Sequence, residues 1–392
     1  MNTKMLRYLY IEHLVKFRYD VGGDFERTQS HSRPDMVALP QLPILTVAAL
    51  LPERVALPSS ACRFLNNSGT FASKTRRSDF ISHVSERIGL HQVMASNSFD
   101  SREGLLDLPQ GVVYWRHDTS NVPPAMTRPI LLFIHAGVTD HTLWDAQVSY
   151  FTAQGRSCLR YDLFSYGKSL PSEEYLQSKH RQPIDHTALI DQLVLEILPS
   201  GVEVIPIGLS IGGGLALSYT VFHPSQVAAA AIIAGGIRGI DIPHTAEEDA
   251  LFEQADKALE TGDAHDAAKL QVRIWGDGPL QKEGRMAPHL AKRMLRWNEE
   301  IATREVAKAA GDAIPAVRRE PAPVTKLHEI QVSVAVAYGE YDETNTTGAM
   351  KYTAPRIKSA ELRGLETAHM VNLEAEEAFN QWLGGWLERC FE

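Results

Sequence analysis

The sequence predicts an α/β protein: an open, doubly wound, mostly parallel sheet with a helical lid insertion and an N-terminal extension. Three observations carry that expectation. From about Gly111 onward, short β-branched runs that are apolar at nearly every position alternate with longer helical stretches, and strands buried on both faces belong to parallel sheets sandwiched between helices. One run, residues 202–207, leads straight into Gly208-Leu209-Ser210-Ile211-Gly212 and then into small apolar residues, the text of a strand turning sharply into a helix. The alternation breaks between residues 237 and 328, where amphipathic helical text takes over, as in 246–259 and 290–310.

Taken in order, residues 1–100 form the extension. They lack clear periodicity and mix Pro, Ser/Thr and Arg-Arg clusters such as Ser73-Lys74-Thr75-Arg76-Arg77-Ser78. Residues 1–93 hold 12 Lys/Arg against 8 Asp/Glu, a balance of +4 within a chain of net charge -9, which leaves -13 for the rest. Three readings stay open here: a poorly ordered tail, an organelle-targeting segment, or sequence upstream of a start at Met94. Glu12, Asp20, Asp24 and Glu26 are out of character for a transit peptide. Residues 101–236 are the first part of the core, with strands expected at 112–115, 130–134, 158–161, 202–207 and 227–233. Residues 237–328 are the lid. Because they follow one strand's carboxyl end and precede the next strand, they belong over the carboxyl edge of the sheet, where open α/β proteins bind ligands. Residues 329–392 complete the core, with strands at 332–337 and 360–362.

Composition narrows the function. With 392 residues, 44% hydrophobic and 22% charged, the chain reads as globular rather than fibrous or wholly disordered. Its most apolar stretch, Pro43 to Pro52, is far short of the roughly 20 residues of a membrane-spanning helix. A surplus of 48 acidic over 39 basic residues argues against nucleic acid or anionic lipid as partner. Cys62, Cys158 and Cys390 form neither a disulfide framework nor a zinc site, so a reducing, cytoplasmic setting and no metal are expected. No nucleotide or zinc-protease motif is present, and no cofactor is expected.

The Gly-x-Ser-x-Gly turn has a steric reason. A strand that bends at once into a helix holds the central residue in strained angles and leaves no room for side chains two positions either way. Ser210 is thereby exposed as a nucleophile, with the N–H of Ile211 at the helix start able to stabilise negative charge. At the end of another apolar run, Ile134-His135-Ala136-Gly137-Val138 supplies a second such N–H, from Gly137 with Val138 the alternative. His135 is expected to anchor that turn. A serine nucleophile needs a base, and the base needs a carboxylate to hold it. After 332–337 comes Tyr338-Gly339-Glu340-Tyr341-Asp342, which makes Asp342 the acid, with Glu340 and Glu343 as local competitors. His369, after the last strand and before the closing helix, is the base.

With these pieces in place the chain resembles α/β-hydrolase-fold serine hydrolases, in the style of the enol-lactonase, arylesterase and non-haem haloperoxidase-like branch. Asp162, Gly167 and Ser169 resemble that family's strand-and-turn signature; Gly339-Glu340-Tyr341-Asp342 its acid turn; Ala368-His369-Met370-Val371-Asn372 its histidine loop, with Ala368 replacing the usual Gly; and Trp275-Gly276-Asp277-Gly278-Pro279 a Trp element. The resemblance covers about residues 105–390. It implies hydrolysis of an ester or lactone by way of an acyl-enzyme, and Ser rather than Asp at the elbow weighs against dehalogenase and epoxide hydrolase branches. Val138, Trp275, Met286, Met294 and Trp297 are the candidate substrate contacts, core packing being the competing role for at least half of the lid residues. They suit a small to medium apolar substrate. Thioester or carbon–carbon bond hydrolysis on the same triad, a perhydrolytic side activity, and a ligand-sensing protein with little turnover stay open as alternatives.

Overall fold

The computed structural model describes residues 99–121, 128–307 and 314–391. Apart from Phe99 and Asp100, the expected extension lies outside the described residues, as do all three readings of residues 1–93.

Among the described residues, nine strands form one mixed sheet: β1 Phe99–Leu108, β2 Gly111–Ser120, β3 Ile130–Ile134, β4 Cys158–Tyr161, β5 Leu170–Pro171, β6 Val204–Leu209, β7 Ala229–Ile233, β8 Ser333–Gly339 and β9 Ala360–Leu365. Their order is β1-β2-β4-β3-β6-β7-β8-β9, with β5 paired to β2. Along this order every pairing from β4 to β9 is parallel, and β2 pairs antiparallel with β1, β4 and β5. The mostly parallel sheet is the one the sequence predicts, and β3 and β4 have the predicted bounds. β6 and β8 run on into their glycines because the neighbouring ladders extend that far, Gly208 opposite Ile134 and Ile232, Gly339 opposite Leu365. The sequence does not predict β1. It is an edge strand in which only Leu106 is buried, so no apolar alternation marks it.

Among the described residues, ten α-helices follow in chain order: α1 Asp145–Ala153, α2 Glu173–Gln177, α3 His186–Ile197, α4 Ile211–Phe222, α5 Ala246–Glu260, α6 Ala264–Gln271, α7 Pro288–Ala307, α8 Thr344–Thr353, α9 Val371–Glu374 and α10 Glu376–Phe391. Alternation along the strands divides the interior into two cores. One takes Leu132, Ile134, Val204, Ala230 and Ile232 and covers them with Ile190 and Leu193 from α3, Leu217 from α4 and Met350 from α8. The other takes the alternate residues Leu131, Phe133, Ile205, Ile207, Ala231 and Ile233, and covers them with Phe151 from α1 and with Phe379, Leu383 and Trp386 from α10. Each fully buried Leu, Ile or Val contributes about 1.5–3 kcal/mol, and both faces of the central strands are stabilised this way.

β3 has its successor β4 on one side and β6, which the chain reaches only after β4, β5 and α3, on the other, so the strand order reverses between β3 and β6. Ligands of open α/β sheets sit at the carboxyl ends of the strands at such a reversal. There the turn from β6 into α4 is held very close to its surroundings. A Cβ at Gly208 would lie 1.9 Å from the Gly212 carbonyl oxygen, and one at Gly212 would lie 2.3 Å from the Ile134 oxygen. Ser210 between them has φ 61 and ψ -120, a conformation that costs a non-glycine residue about 1–3 kcal/mol. The helical stretch from α5 to α7 lies between β7 and β8 in the chain. Among the described residues, no helix is long and apolar enough to cross a membrane.

Because the atoms that an alanine at 212 would strike are backbone, Gly212→Ala is expected to lower stability by about 3 kcal/mol or more, or to prevent folding. Chemical denaturation checks this, and wild-type stability would mean that the elbow can shift.

Candidate active site

Ser210 stands between β6 and α4 and, unlike the exposed residue expected from the turn alone, is buried at 6% exposed. Its own backbone is fully engaged: its N–H donates to Ile233 O at 2.9 Å, and its carbonyl accepts from Gly214 at 3.1 Å and Gly236 at 3.0 Å. The strain at this residue is therefore held from both neighbouring segments. Ile211 begins α4, and the first-turn N–H groups of a helix have no acceptor within it. Across the strand reversal, Gly137 lies in a turn closed by the Thr139 N–H, which donates to Ala136 O at 3.1 Å.

His135 anchors this turn. Its Nε2 accepts from the Leu163 N–H at 2.9 Å, so its proton sits on Nδ1, which donates to Ala136 O at 2.7 Å. Burial holds this imidazole's pKa below its ordinary value, in keeping with a neutral ring that both accepts and donates.

Asp342 follows β8 and His369 follows β9, two neighbouring parallel strands, and the structure brings these residues together. His369 Nδ1 lies 2.7 Å from Asp342 Oδ2, with side chains 1% and 0% exposed. The other carboxylate oxygen accepts from the Glu343 N–H at 2.8 Å. Burial pushes the Asp342 carboxyl up, opposed by His369 and by that amide. Of the two competitors for the acid role, Glu340 is exposed. Glu343 is turned to other partners: it accepts from the Asn345 N–H at 2.8 Å and the Thr346 N–H at 2.7 Å, and its Oε2 lies 2.7 Å from His244 Nε2.

Sequence reasoning missed the side chains that hold the acid and histidine loops. Glu248 caps α5, accepting from the Thr245 N–H at 2.7 Å, while its other oxygen accepts from the Thr344 N–H at 2.7 Å. The Thr245-x-x-Glu248 spacing signals the cap in sequence, but the bond to Thr344, 96 residues away, leaves no local trace. On the histidine side, Glu374 accepts from the Ala368 N–H at 2.8 Å and pairs with Arg285 at 2.6 Å. Arg285 in turn donates to Asp277 O at 2.5 Å and to Gly276 O at 2.8 Å. The helical stretch thus bonds to both loops.

The five candidate substrate contacts are all buried. Trp275 lies against the histidine, with ring centroids 4.6 Å apart. The same indole meets Phe252 at 5.6 Å, which stacks on His244 at 4.9 Å. Trp297 donates from Nε1 to Thr142 Oγ1 at 3.2 Å, and Val138 O accepts from Asn298 Nδ2 at 3.3 Å. Met286 and Met294 flank Gly276, where an added Cβ would lie 3.0 Å and 3.2 Å from their sulfurs. Trp275, Met286, Met294, Trp297 and Val138 belong to the same apolar core as α1 and α10. The family-like Asp162 is structural: its Oδ1 accepts from the His141 N–H and lies 2.8 Å from His141 Nδ1, and its Oδ2 accepts from the Lys168 N–H at 2.7 Å. Asp140, His141 and Asp162 form one group among the described residues whose ligand atoms lie within 4.8 Å of one another. The bond between His141 and Asp162, and that from the Thr142 N–H to Asp140, already use atoms of this group.

The sequence matches the Alpha/beta hydrolase family over residues 131–382. No curated protein matches it. Solved structures of similar fold include the carboxylesterase CesB (YbfK) from Bacillus subtilis, 17% identical, with TM-score 0.53 over 74% of this chain and 92% of that one. The enol-lactonase from Burkholderia xenovorans LB400 is 19% identical, with TM-score 0.55 over 73% of this chain and 100% of the other. A thermophilic esterase from Thermogutta terrifontis is 17% identical, with TM-score 0.53 over 75% and 100%.

The His244–Glu343 pair gives a pH dependence with a definite sign. Burial works against the His244 charge, but Glu343, Glu248 and Asp249 outweigh it and raise its pKa above 6.5. Burial likewise works against the Glu343 charge, but His244, Thr346 and Asn345 hold its pKa below 4.5. The pair's contribution is therefore full between about pH 4.5 and 6.5 and fades above that window as His244 loses its proton. His244→Gln is expected to cost about 1–3 kcal/mol at pH 6 and less at pH 9. Urea denaturation at both values checks this; a loss independent of pH would contradict it.

Proposed function

The chain belongs to the alpha/beta hydrolase family, and on that premise we propose that it is a serine hydrolase that cleaves an ester or lactone bond of a small to medium, mainly apolar substrate. The observation that carries the reading is the buried 2.7 Å contact between His369 and Asp342, at the sheet edge where Ser210 occupies its strained turn. In the proposed reaction, His369 Nε2 takes the Ser210 proton as Oγ attacks the carbonyl carbon. Asp342 fixes the imidazole by its Nδ1–H and stabilises the imidazolium. The N–H groups of Gly137 and Ile211 receive the oxyanion, His369 returns its proton to the leaving oxygen, and water then repeats the sequence on the acyl-enzyme.

Residues 237–328 serve in this reading as a lid over the carboxyl edge, with Val138, Trp275, Met286, Met294 and Trp297 as the apolar contacts. Esterases and an enol-lactonase among the structures of similar fold accord with the bond class. No step calls for a cofactor.

Ser210→Ala is expected to retain the wild-type circular dichroism and melting temperature while abolishing hydrolysis of short p-nitrophenyl esters. Asp342→Asn is expected to lower kcat by roughly 10³–10⁴-fold. Steady-state kinetics check both, and wild-type turnover by the Ser210→Ala protein would refute the nucleophile.

A further inference from the structure

We propose that Gln271 is a substrate-recognition residue: its side-chain NH₂ group receives an acceptor oxygen that the substrate carries apart from the scissile carbonyl. The preferred substrate is then an ester or lactone with one additional ether, keto or hydroxyl oxygen in an otherwise apolar chain. This rests on the hydrolase reading for its reaction, though not for its binding.

Gln271 is only 5% exposed. Its Oε1 accepts from Trp275 Nε1 at 2.7 Å. An indole N–H can only donate, so this bond fixes which end of the amide is oxygen and which is nitrogen. The Nε2 group is then a buried donor with no hydrogen-bond partner among the described residues, whereas buried polar groups are almost always paired. A second observation ties the indole that holds this amide to the proposed base. Gln271 ends α6 at the point where a π-helical turn, Val272–Asp277, begins. Such turns are rare and concentrate at functional sites, and this one carries the Trp275 ring to 4.6 Å from that of His369. One indole therefore links the unpartnered donor to the proposed base. A donor held out of water and left unpaired favours a ligand that satisfies it and discriminates against one that cannot.

The test measures binding to the Ser210→Ala protein, so that it does not depend on turnover. The probes are butyl pentanoate and the esters in which one methylene of its acyl or alkoxy chain is replaced by an ether oxygen. At least one ether ester is expected to bind roughly tenfold or more tightly than the parent. That preference is expected to vanish when Gln271→Met is added. It should also vanish with Gln271→Glu, which keeps an acceptor for the Trp275 N–H while removing the donor, so that a folding defect in one variant leaves the other to decide. Equal affinities across the series, or a preference that survives both substitutions, would overturn the inference. Wild-type turnover of the same esters is the separate check on the hydrolase reading: an ether preference in binding without any turnover would sink that reading and leave this one standing.

Discussion

At the turn from β6 into α4, three backbone segments approach so closely that side chains are excluded between them. A Cβ at Gly208 would meet the Gly212 carbonyl, one at Gly212 would meet the end of β3, and one at Gly214 would lie 2.3 Å from Gly236 O. Ser210 is left with a backbone conformation that only its surroundings can maintain. Two apolar cores, one on each face of the sheet, supply that maintenance by fixing β3, β6 and β7 beside one another. The same approach brings the Gly137 turn, the start of α4 and the serine hydroxyl to one end of the strand reversal. In the proposed reaction this is the point on which the other groups act.

Acid and histidine are held by a different means. Both sit in loops beyond β8 and β9, and both loops receive carboxylates: the buried Glu343 and Glu248 on one side, the partly buried Glu374 on the other. Each carboxylate is satisfied by backbone N–H groups, and two of the three by a cation as well, which is what keeps buried charge from being ruinous. Arg285 and Glu248 belong to the helical stretch between β7 and β8. This stretch is consequently tied to the loops that carry Asp342 and His369, and its packing bears on their position.

Much of this is legible in the sequence, for physical reasons that differ from element to element. β3, β4, β6 and β7 read as strands because they are covered on both faces, and the largely apolar text that results is unmistakable. Gly208 is dictated by sterics that act within five residues, whereas Gly212 is required by the end of β3, which packs against the turn from outside it. Asp342 and His369, 27 residues apart, stand out because each follows a strand end, and parallel neighbours carry their ends to the same edge of the sheet. β1 escapes notice because an exposed edge strand has no apolar face to display. Glu248, Glu374 and Arg285 escape because their partners are supplied by tertiary structure, and a lone Glu or Arg in helical text looks like any solvated charge. Gln271 is of the same kind: only its burial and the indole beside it distinguish it.

Covalent capture of the nucleophile tests the central claim most directly. Exposure to a fluorophosphonate, followed by intact-mass and peptide mass spectrometry, should yield a single adduct on Ser210, strongly slowed when His369 is replaced by alanine. No adduct, or an adduct on another residue with Ser210 unmodified, would contradict the account.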